Sequence, residues 1–213
     1  MRFMPCLHDR YEEGGVTKSE YFWQDLLVAR WIAQANPQLH VDVGSRLDGF
    51  VAHVASFRSI EVFDVRPIST SIPGIVFKQA DFMQSISLLD AAGGYCDSLS
   101  CLHALEHFGL GRYGDPIDTL GHAKGITNMA VLLKPGGIFY LSVPIGRERV
   151  LFNANRVFDP RTILSLATSN GLVLQSLTVV ANGQPQELTP DIETLNRLAT
   201  MNYSLGIFVF FRR

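Results

Sequence analysis

The chain has 213 residues, of which 47% are hydrophobic, 10% aromatic and only 18% charged, enough to bury one substantial core without disulfide or metal staples and too apolar for disorder. Its net charge of −2 at pH 7 excludes a global positive field, so no nucleic-acid partner is expected. Three cysteines, Cys6, Cys96 and Cys101, are too few and too scattered for a disulfide scaffold, which points to a reducing compartment.

The opening MRFMPCLHDR lacks the apolar run and small-residue site of a secretory signal. A helix is expected from an Ser19 cap to about residue 35, with Phe22, Leu26, Ala29, Ile32 and Ala33 at helical spacing and Asn36-Pro37 as its stop. Short apolar runs rich in Val, Ile and Phe follow at 39–43, 60–65, 75–77, 95–100, 138–143, 172–179 and 207–211, seven strand candidates. Most are continuous rather than alternating, as strands covered on both faces are. Helices are expected over 49–57 and 119–133, the second ended by Lys134-Pro135-Gly136-Gly137. Asp159-Pro160 opens another helix to Ser169, with Asn170-Gly171 as a left-handed stop. Thr189-Pro190 reads as one more helix start, with Asp191 and Glu193 near its positive end. The longest uncharged stretch, 162–186, is broken by polar residues and fits helix, turn and strand better than a membrane span. The expectation is a doubly wound α/β domain over 1–213: an N-terminal helical segment (1–37) on the cofactor side, a core (38–145), and C-terminal helices with the last two strands (146–213). A cytoplasmic location with no membrane contact is expected; oligomeric state is open.

The segment Val41-Asp42-Val43-Gly44-Ser45-Arg46-Leu47-Asp48-Gly49-Phe50 is a strand, a glycine turn and a helix start. In an open parallel sheet such a turn lies where ligands bind, beyond the carboxyl ends of the strands. Gly44 would let the backbone pass close to a ligand, and Gly49 would let the helix pack on the strand. A dinucleotide fold wants G-x-G-x-x-G here, and a P-loop wants Gly-Lys-Ser/Thr where Phe50 and Val51 stand. Asp42 and Asp48 would also repel a pyrophosphate, whereas a ligand with a cationic amino-acid end, such as S-adenosylmethionine, suits the acidic loop. Asp64 ends the next strand, beside Val65, where a carboxylate can accept two hydrogen bonds from a ribose diol. Asp81 follows the third strand within reach of an adenine amino group, and Phe82 stands beside it to pack on the ring.

In this order the motifs resemble those of class I S-adenosylmethionine-dependent methyltransferases. Val41-Asp42-Val43-Gly44-Ser45 resembles their first motif, Asp64 their acidic second-strand end, Ala80-Asp81-Phe82 their adenine-side motif, and Leu132-Leu133-Lys134-Pro135-Gly136-Gly137 the turn before their fifth strand. More narrowly, Tyr21-Phe22-Trp23-Gln24-Asp25, Asp42 to Phe50 and Leu102-His103-Ala104-Leu105-Glu106-His107-Phe108-Gly109 look like the uncharacterised family called domain of unknown function 268. The resemblance implies a Rossmann-like, mostly parallel seven-stranded sheet with an antiparallel last strand. It implies S-adenosylmethionine held by Asp42, Gly44, Ser45, Arg46, Gly49, Asp64, Val65, Asp81, Phe82, Ser100 and Cys101. One departure is visible: the first motif of the superfamily has a second glycine where Ser45 stands.

The end of the fourth strand faces the acceptor in the resembled superfamily, so the polar run after it supplies the reaction candidates. His103 or His107 is a candidate base titrating near neutrality, with Glu106 orienting an imidazole. Arg112 is placed to grip a carboxylate or phosphate, Tyr113 to stack on a sugar, and Asp115 to line the same loop. The implied function is methyl transfer to a small-molecule acceptor, a saccharide hydroxyl in the narrowest reading. A non-catalytic S-adenosylmethionine- or nucleotide-binding accessory protein is the alternative. His103-Ala104-Leu105-Glu106-His107 also fits H-x-x-E-H, so a zinc hydrolase is a third reading; it needs both histidines on one helical face and a further ligand.

Overall fold

The computed structural model describes residues 2–84 and 93–213. Helix α1 (Glu20–Ala35) leads into strand β1 (His40–Val43), a π-helical turn over Leu47–Val51 and the short α2 (Ala52–Ala55). Strands β2 (Ile60–Asp64), β3 (Ile75–Gln79) and β4 (Cys96–Leu102) follow. A 3-10 turn at Leu105–His107 precedes α3 (Gly121–Leu132) and β5 (Leu133–Ile145). A hairpin of β6 (Arg149–Leu151) and β7 (Asn155–Val157) comes before α4 (Pro160–Ser169), β8 (Leu172–Ala181), β9 (Gln184–Leu188), α5 (Ile192–Thr200) and β10 (Ser204–Arg212).

Eight of these strands form one sheet in the order β3-β2-β1-β4-β5-β10-β8-β9. Pairings from β3 to β5 are parallel, while β10 runs antiparallel between β5 and β8. This is the expected doubly wound sheet with its antiparallel last strand, extended by one edge strand, β9, that pairs only with β8. Pro185 has no N–H to donate and is tolerated in β9 because an edge strand leaves one side of its ladder open.

Alternation along the strands divides the core into two layers. Val41, Val43, Leu99 and Leu141 pack with Ile126 and Met129 of α3, Ile163 of α4 and Leu198 of α5. Ile60, Val62, Leu102 and Tyr140 pack on the opposite face with Val28, Ala29 and Ile32 of α1 and Val54 of α2. Helix α1 buries Gln24, Asp25, Val28, Ala29 and Ile32. The expected stripe is therefore rotated: Phe22 and Ala33 are exposed, and two polar residues face inward. They are buried because a polar seam lies beneath them, where Ser142 of β5 donates to Gln24 Oε1 and Gln24 Nε2 donates to Asp25 at 2.9 Å.

Capping follows the sequence at α4, where the Asp159 carboxylate accepts from the Arg161 N–H at 2.9 Å and Pro160 is the first helical residue. At α5 the start lies later than Thr189-Pro190: Asp191 is the cap, accepting from the Thr194 N–H at 2.8 Å. Among the described residues, no helix is long and apolar enough to cross a membrane.

Candidate active site

Strand β1 ends at Gly44, whose φ of 75° is costly for any residue with a side chain. A Cβ there would lie 2.9 Å from the Ala104 Cβ, so the turn also needs the missing side chain for space. The next residue explains the departure from a second glycine. Ser45 Oγ donates to Asp42 Oδ1 at 2.6 Å and accepts from the Leu102 N–H at 3.0 Å, stapling the turn to the end of β4. Asp42 also accepts from the Ser45 N–H at 3.0 Å and from Ser100 Oγ at 2.6 Å. Because the Ser100 hydroxyl is donated to Asp42, it accepts from His40 Nε2–H at 3.2 Å, which leaves His40 Nδ1 to accept from Ser98 Oγ at 2.8 Å. Burial holds His40 neutral, with its pKa lowered to about 3. Burial also raises the Asp42 carboxyl to about 6 against the opposing pull of its serine donors.

This seam corrects part of the expected cofactor set. Asp42, Ser100 and Cys101 are fully buried behind the turn and do not line the cavity described below, because their side chains are spent on one another or on the core. Gly49 does not line it either; it is a packing position, where a Cβ would lie 2.7 Å from Asp25 Oδ2.

A cavity of about 670 Å³ opens beyond the carboxyl ends of β1, β2, β4 and β5, within the range of small-molecule sites. Gly44, Ser45, Arg46, Asp64, Val65, Asp81 and Phe82 line it. Asp64 is already engaged: Arg66 Nε and Nη2 donate to its two oxygens at 3.0 and 2.6 Å. Asp81 Oδ1 accepts from the Met83 N–H at 2.8 Å. Phe82 is 1% exposed and packs edge-on to Phe63, 5.4 Å between centroids, so it closes the floor rather than standing as a free stacking plate.

The polar cluster after β4 lines the same cavity. His103 has φ 52° and is nearly buried, with Nδ1 2.7 Å from Glu106 Oε1 and Nε2 3.3 Å from Glu20 Oε1. Burial opposes its charge, but the two carboxylates prevail and raise its pKa to about 9. His103 is thus an imidazolium at neutral pH, not a base titrating there. Glu20 also accepts from Tyr203 Oη at 2.6 Å, and Tyr21 stacks on the His103 ring at 4.7 Å. His107 differs: its Nδ1–H donates to the Ala154 carbonyl at 2.7 Å, and burial lowers its pKa. Its neutral form carries the lone pair on Nε2, 3.8 Å from Glu106 Oε1. Glu106 is 1% exposed, and its Oε2 has no hydrogen-bond partner.

The H-x-x-E-H run occupies a 3-10 turn preceded by a left-handed residue, so the two histidines do not share an α-helical face. Their Nδ1 atoms are committed to Glu106 and Ala154. Among the described residues, no group of three or more His, Cys, Asp or Glu is arranged to hold a metal ion.

Arg112, Tyr113 and Asp115 reach the cavity too. Asp115 is mainly a knot in its own loop, with Oδ2 accepting from Gly109 N–H at 2.9 Å and Gly111 N–H at 3.3 Å, and Oδ1 from Tyr113 N–H at 3.1 Å. The Tyr113 ring lies under the Arg66 and Arg112 guanidiniums, at 4.4 and 5.2 Å, and is edge-on to His107 at 5.4 Å. Its surface is therefore shared with cations rather than left open for a sugar. Tyr21 lines the cavity too, and so do Glu20, Arg66 and Tyr203, which the sequence does not single out as site residues.

Residues 75–194 match the family described as "Caenorhabditis protein of unknown function, DUF268". The chain belongs to this family. The match takes in the His103–Glu106–His107 cluster and the Arg112 loop, while Gly44, Asp64 and Glu20 lie upstream of it. No curated protein matches the DUF268 chain in sequence. In structure it is similar to a Burkholderia thailandensis 1,6-didemethyltoxoflavin-N1-methyltransferase with bound 1,6-didemethyltoxoflavin and S-adenosylhomocysteine, at TM-score 0.63 and 12% identity over 92% of this chain and 80% of that one. The N-methyltransferase NodS from Bradyrhizobium japonicum WM9, in complex with S-adenosylhomocysteine, aligns at TM-score 0.59 and 13% identity over 91% and 88%. The cyclase SpnF aligns at TM-score 0.60 and 14% identity over 88% and 81%. At these identities the likeness establishes a Rossmann-like methyltransferase fold, and a cyclase among the neighbours shows why chemistry must be argued from the site.

Proposed function

We propose that this chain binds S-adenosylmethionine and methylates a hydroxyl of a small-molecule acceptor, a saccharide being the acceptor we favour. One observation carries the reading: a single cavity brings together the bare Gly44 turn, the strand-end carboxylates Asp64 and Asp81, and the Glu106–His107 pair. The donor set fits such a cofactor. Asp64 suits a ribose diol, Asp81 an adenine amino group, and the acidic floor of Glu20 and Glu106 an amino-acid ammonium. Bound there, S-adenosylmethionine would supply an electrophilic methyl group.

The chain's own residues then position the acceptor and hold its proton. An acceptor hydroxyl donates to His107 Nε2, and the proton passes to that nitrogen. Glu106 Oε1, 3.8 Å away, stabilises the imidazolium that results. An acceptor with several hydroxyls, as a saccharide has, presents one to His107 Nε2 and others to the carboxylates of the same cavity. His103, pinned between Glu20 and Glu106, fixes the carboxylate rather than exchanging protons. Alignment accounts for roughly 7–11 kcal/mol of such a barrier and a base for about 3–5 kcal/mol, so positioning dominates. The three free thiols Cys6, Cys96 and Cys101 suit a cytoplasmic setting.

The test is transfer of isotopically labelled methyl from S-adenosylmethionine to a panel of neutral and acidic monosaccharides. A labelled product is expected, with His107→Gln slower by about 10²–10⁴-fold at pH 7. A variant as fast as wild type refutes the base assignment. Binding without turnover is the second reading, favoured by Ser45, which stands where the superfamily's first motif has a second glycine. It predicts tight S-adenosylhomocysteine binding and no label transferred to any sugar.

A further inference from the structure

Three arginines line the cavity, and two are neutralised within their own loops. Arg46 Nη2 lies 2.7 Å from Asp48 Oδ2, and Arg66 Nη2 lies 2.6 Å from Asp64 Oδ2. Arg112 forms no ion pair with a carboxylate among the described residues. Its Nη1 donates to the uncharged Ala154 carbonyl at 2.9 Å and stands 3.4 Å from His107 Nδ1. Arg112 is exposed, so its guanidinium is solvated and unpaired with any described carboxylate where it lines the cavity, directly beside the candidate base.

Its loop is also held in place. The Asp115 carboxylate ties the N–H groups of Gly109, Gly111 and Tyr113, and the Tyr113 ring lies against the Arg112 guanidinium at 5.2 Å. A guanidinium presents a planar fork matched to carboxylate and phosphate oxygens, and a pre-ordered one loses little freedom on gripping them.

We propose that the ligand received next to His107 carries an anionic oxygen group, a carboxylate or a phosphate, held by Arg112 on the same molecule whose hydroxyl meets His107 Nε2. The acceptor class is then a sugar acid or sugar phosphate, and the anion selects which hydroxyl reaches the base. The role of that hydroxyl rests on the methyl-transfer reading; the anion site does not. Neutral sugars lack the group that Arg112 needs. Inorganic phosphate alone has it and should occupy the site.

The experiment is calorimetric titration of the full chain with glucuronate, glucose 6-phosphate and glucose, with and without saturating S-adenosylhomocysteine. A parallel titration with inorganic phosphate is followed by the NMR shift of the His107 ring protons. At least one of the two acids is expected to bind about tenfold or more tighter than glucose. Arg112→Gln should remove that preference, and Arg112→Lys should keep part of it. Phosphate should move the His107 resonance in wild type and not in Arg112→Gln. Whichever acid shows the preference identifies the anionic group. Equal affinities for acids and glucose overturn the proposal. So does a tenfold loss of S-adenosylhomocysteine affinity in Arg112→Gln with the preference for acids unchanged, since Arg112 would then serve the donor's own carboxylate. Absence of S-adenosylhomocysteine binding would refute the methyl-transfer reading only, because the titrations without it still decide the anion site. If Arg112→Gln fails to fold by circular dichroism, Arg112→Lys and the wild-type phosphate shift decide the matter.

Discussion

Ser45→Ala isolates the staple that replaces a glycine in the turn after β1. The hydroxyl makes two buried hydrogen bonds, to Asp42 Oδ1 at 2.6 Å and from Leu102 N–H at 3.0 Å, and Ser45 is 3% exposed, so water does not substitute freely. Losing a hydrogen bond to an ionised carboxylate costs about 1.5–3 kcal/mol, and orphaning the Leu102 N–H about 1–3 kcal/mol. Together the expected loss is about 2.5–6 kcal/mol at pH 7, a large share of the roughly 5–15 kcal/mol that holds a domain folded. The cost should depend on pH. Asp42 has its pKa raised by burial to about 6 in the folded chain, from an ordinary 3.8. A raised folded pKa means stability that is fully present below the unfolded value and lost as pH climbs through 6, about 3 kcal/mol for this residue. At pH 5 the carboxyl is mostly protonated and no longer needs the serine donor as a charged acceptor, so the penalty should shrink toward about 2 kcal/mol, that of the bare Leu102 N–H. Urea unfolding of both proteins at pH 5 and pH 7, followed by Trp23 and Trp31 fluorescence, measures this. A penalty under about 1 kcal/mol, or one equal at the two pH values, would refute the reasoning.

His103 offers a second pH test. Its folded pKa of about 9 lies above the ordinary 6.5, so its contribution of about 3 kcal/mol is complete below pH 6.5 and lost as pH rises through 9. Glu20→Gln should bring the titration of the ring, read by NMR, back toward 6.5 by removing one of its two carboxylates. Gly44→Ala combines a strained φ of 75° with a Cβ 2.9 Å from Ala104; a stability loss of about 1–3 kcal/mol in thermal unfolding is expected. Arg66→Ala frees both oxygens of Asp64 and should raise S-adenosylhomocysteine affinity in calorimetry if Asp64 is a ribose anchor.

The sheet was legible because buried parallel strands write themselves as continuous Val, Ile and Phe runs, and the glycine after Val43 and the acid at Asp64 fall at strand ends that any such sheet turns toward one edge. Strand β9 was not legible: Gln184-Pro185-Gln186 carries no apolar pattern and pairs only through its backbone at an edge. The inward face of α1 escaped because Gln24 and Asp25 are polar and become core residues only over the serine seam of β4 and β5. Among the cavity-lining residues, local order singles out the His103–Glu106–His107 cluster and Arg112 as candidates, but does not say which histidine is charged. That depends on Glu20, brought from the first helix by the fold. Ser45, Ser100 and Asp42 look alike in sequence as ligand contacts, whereas burial makes them partners of each other. Arg66 sits two residues beyond Asp64, and only the turn geometry after β2 brings it back as a bidentate partner.

Whether the strand-end acids face a nucleoside is measured most directly by calorimetric titration of wild type and Asp64→Ala with S-adenosylhomocysteine. One site is expected in wild type, with binding weakened by about 1–3 kcal/mol in the variant as a buried hydrogen-bond partner is lost. No heat with wild type at millimolar ligand would contradict the account, and identical affinities for the two proteins would remove Asp64 from it.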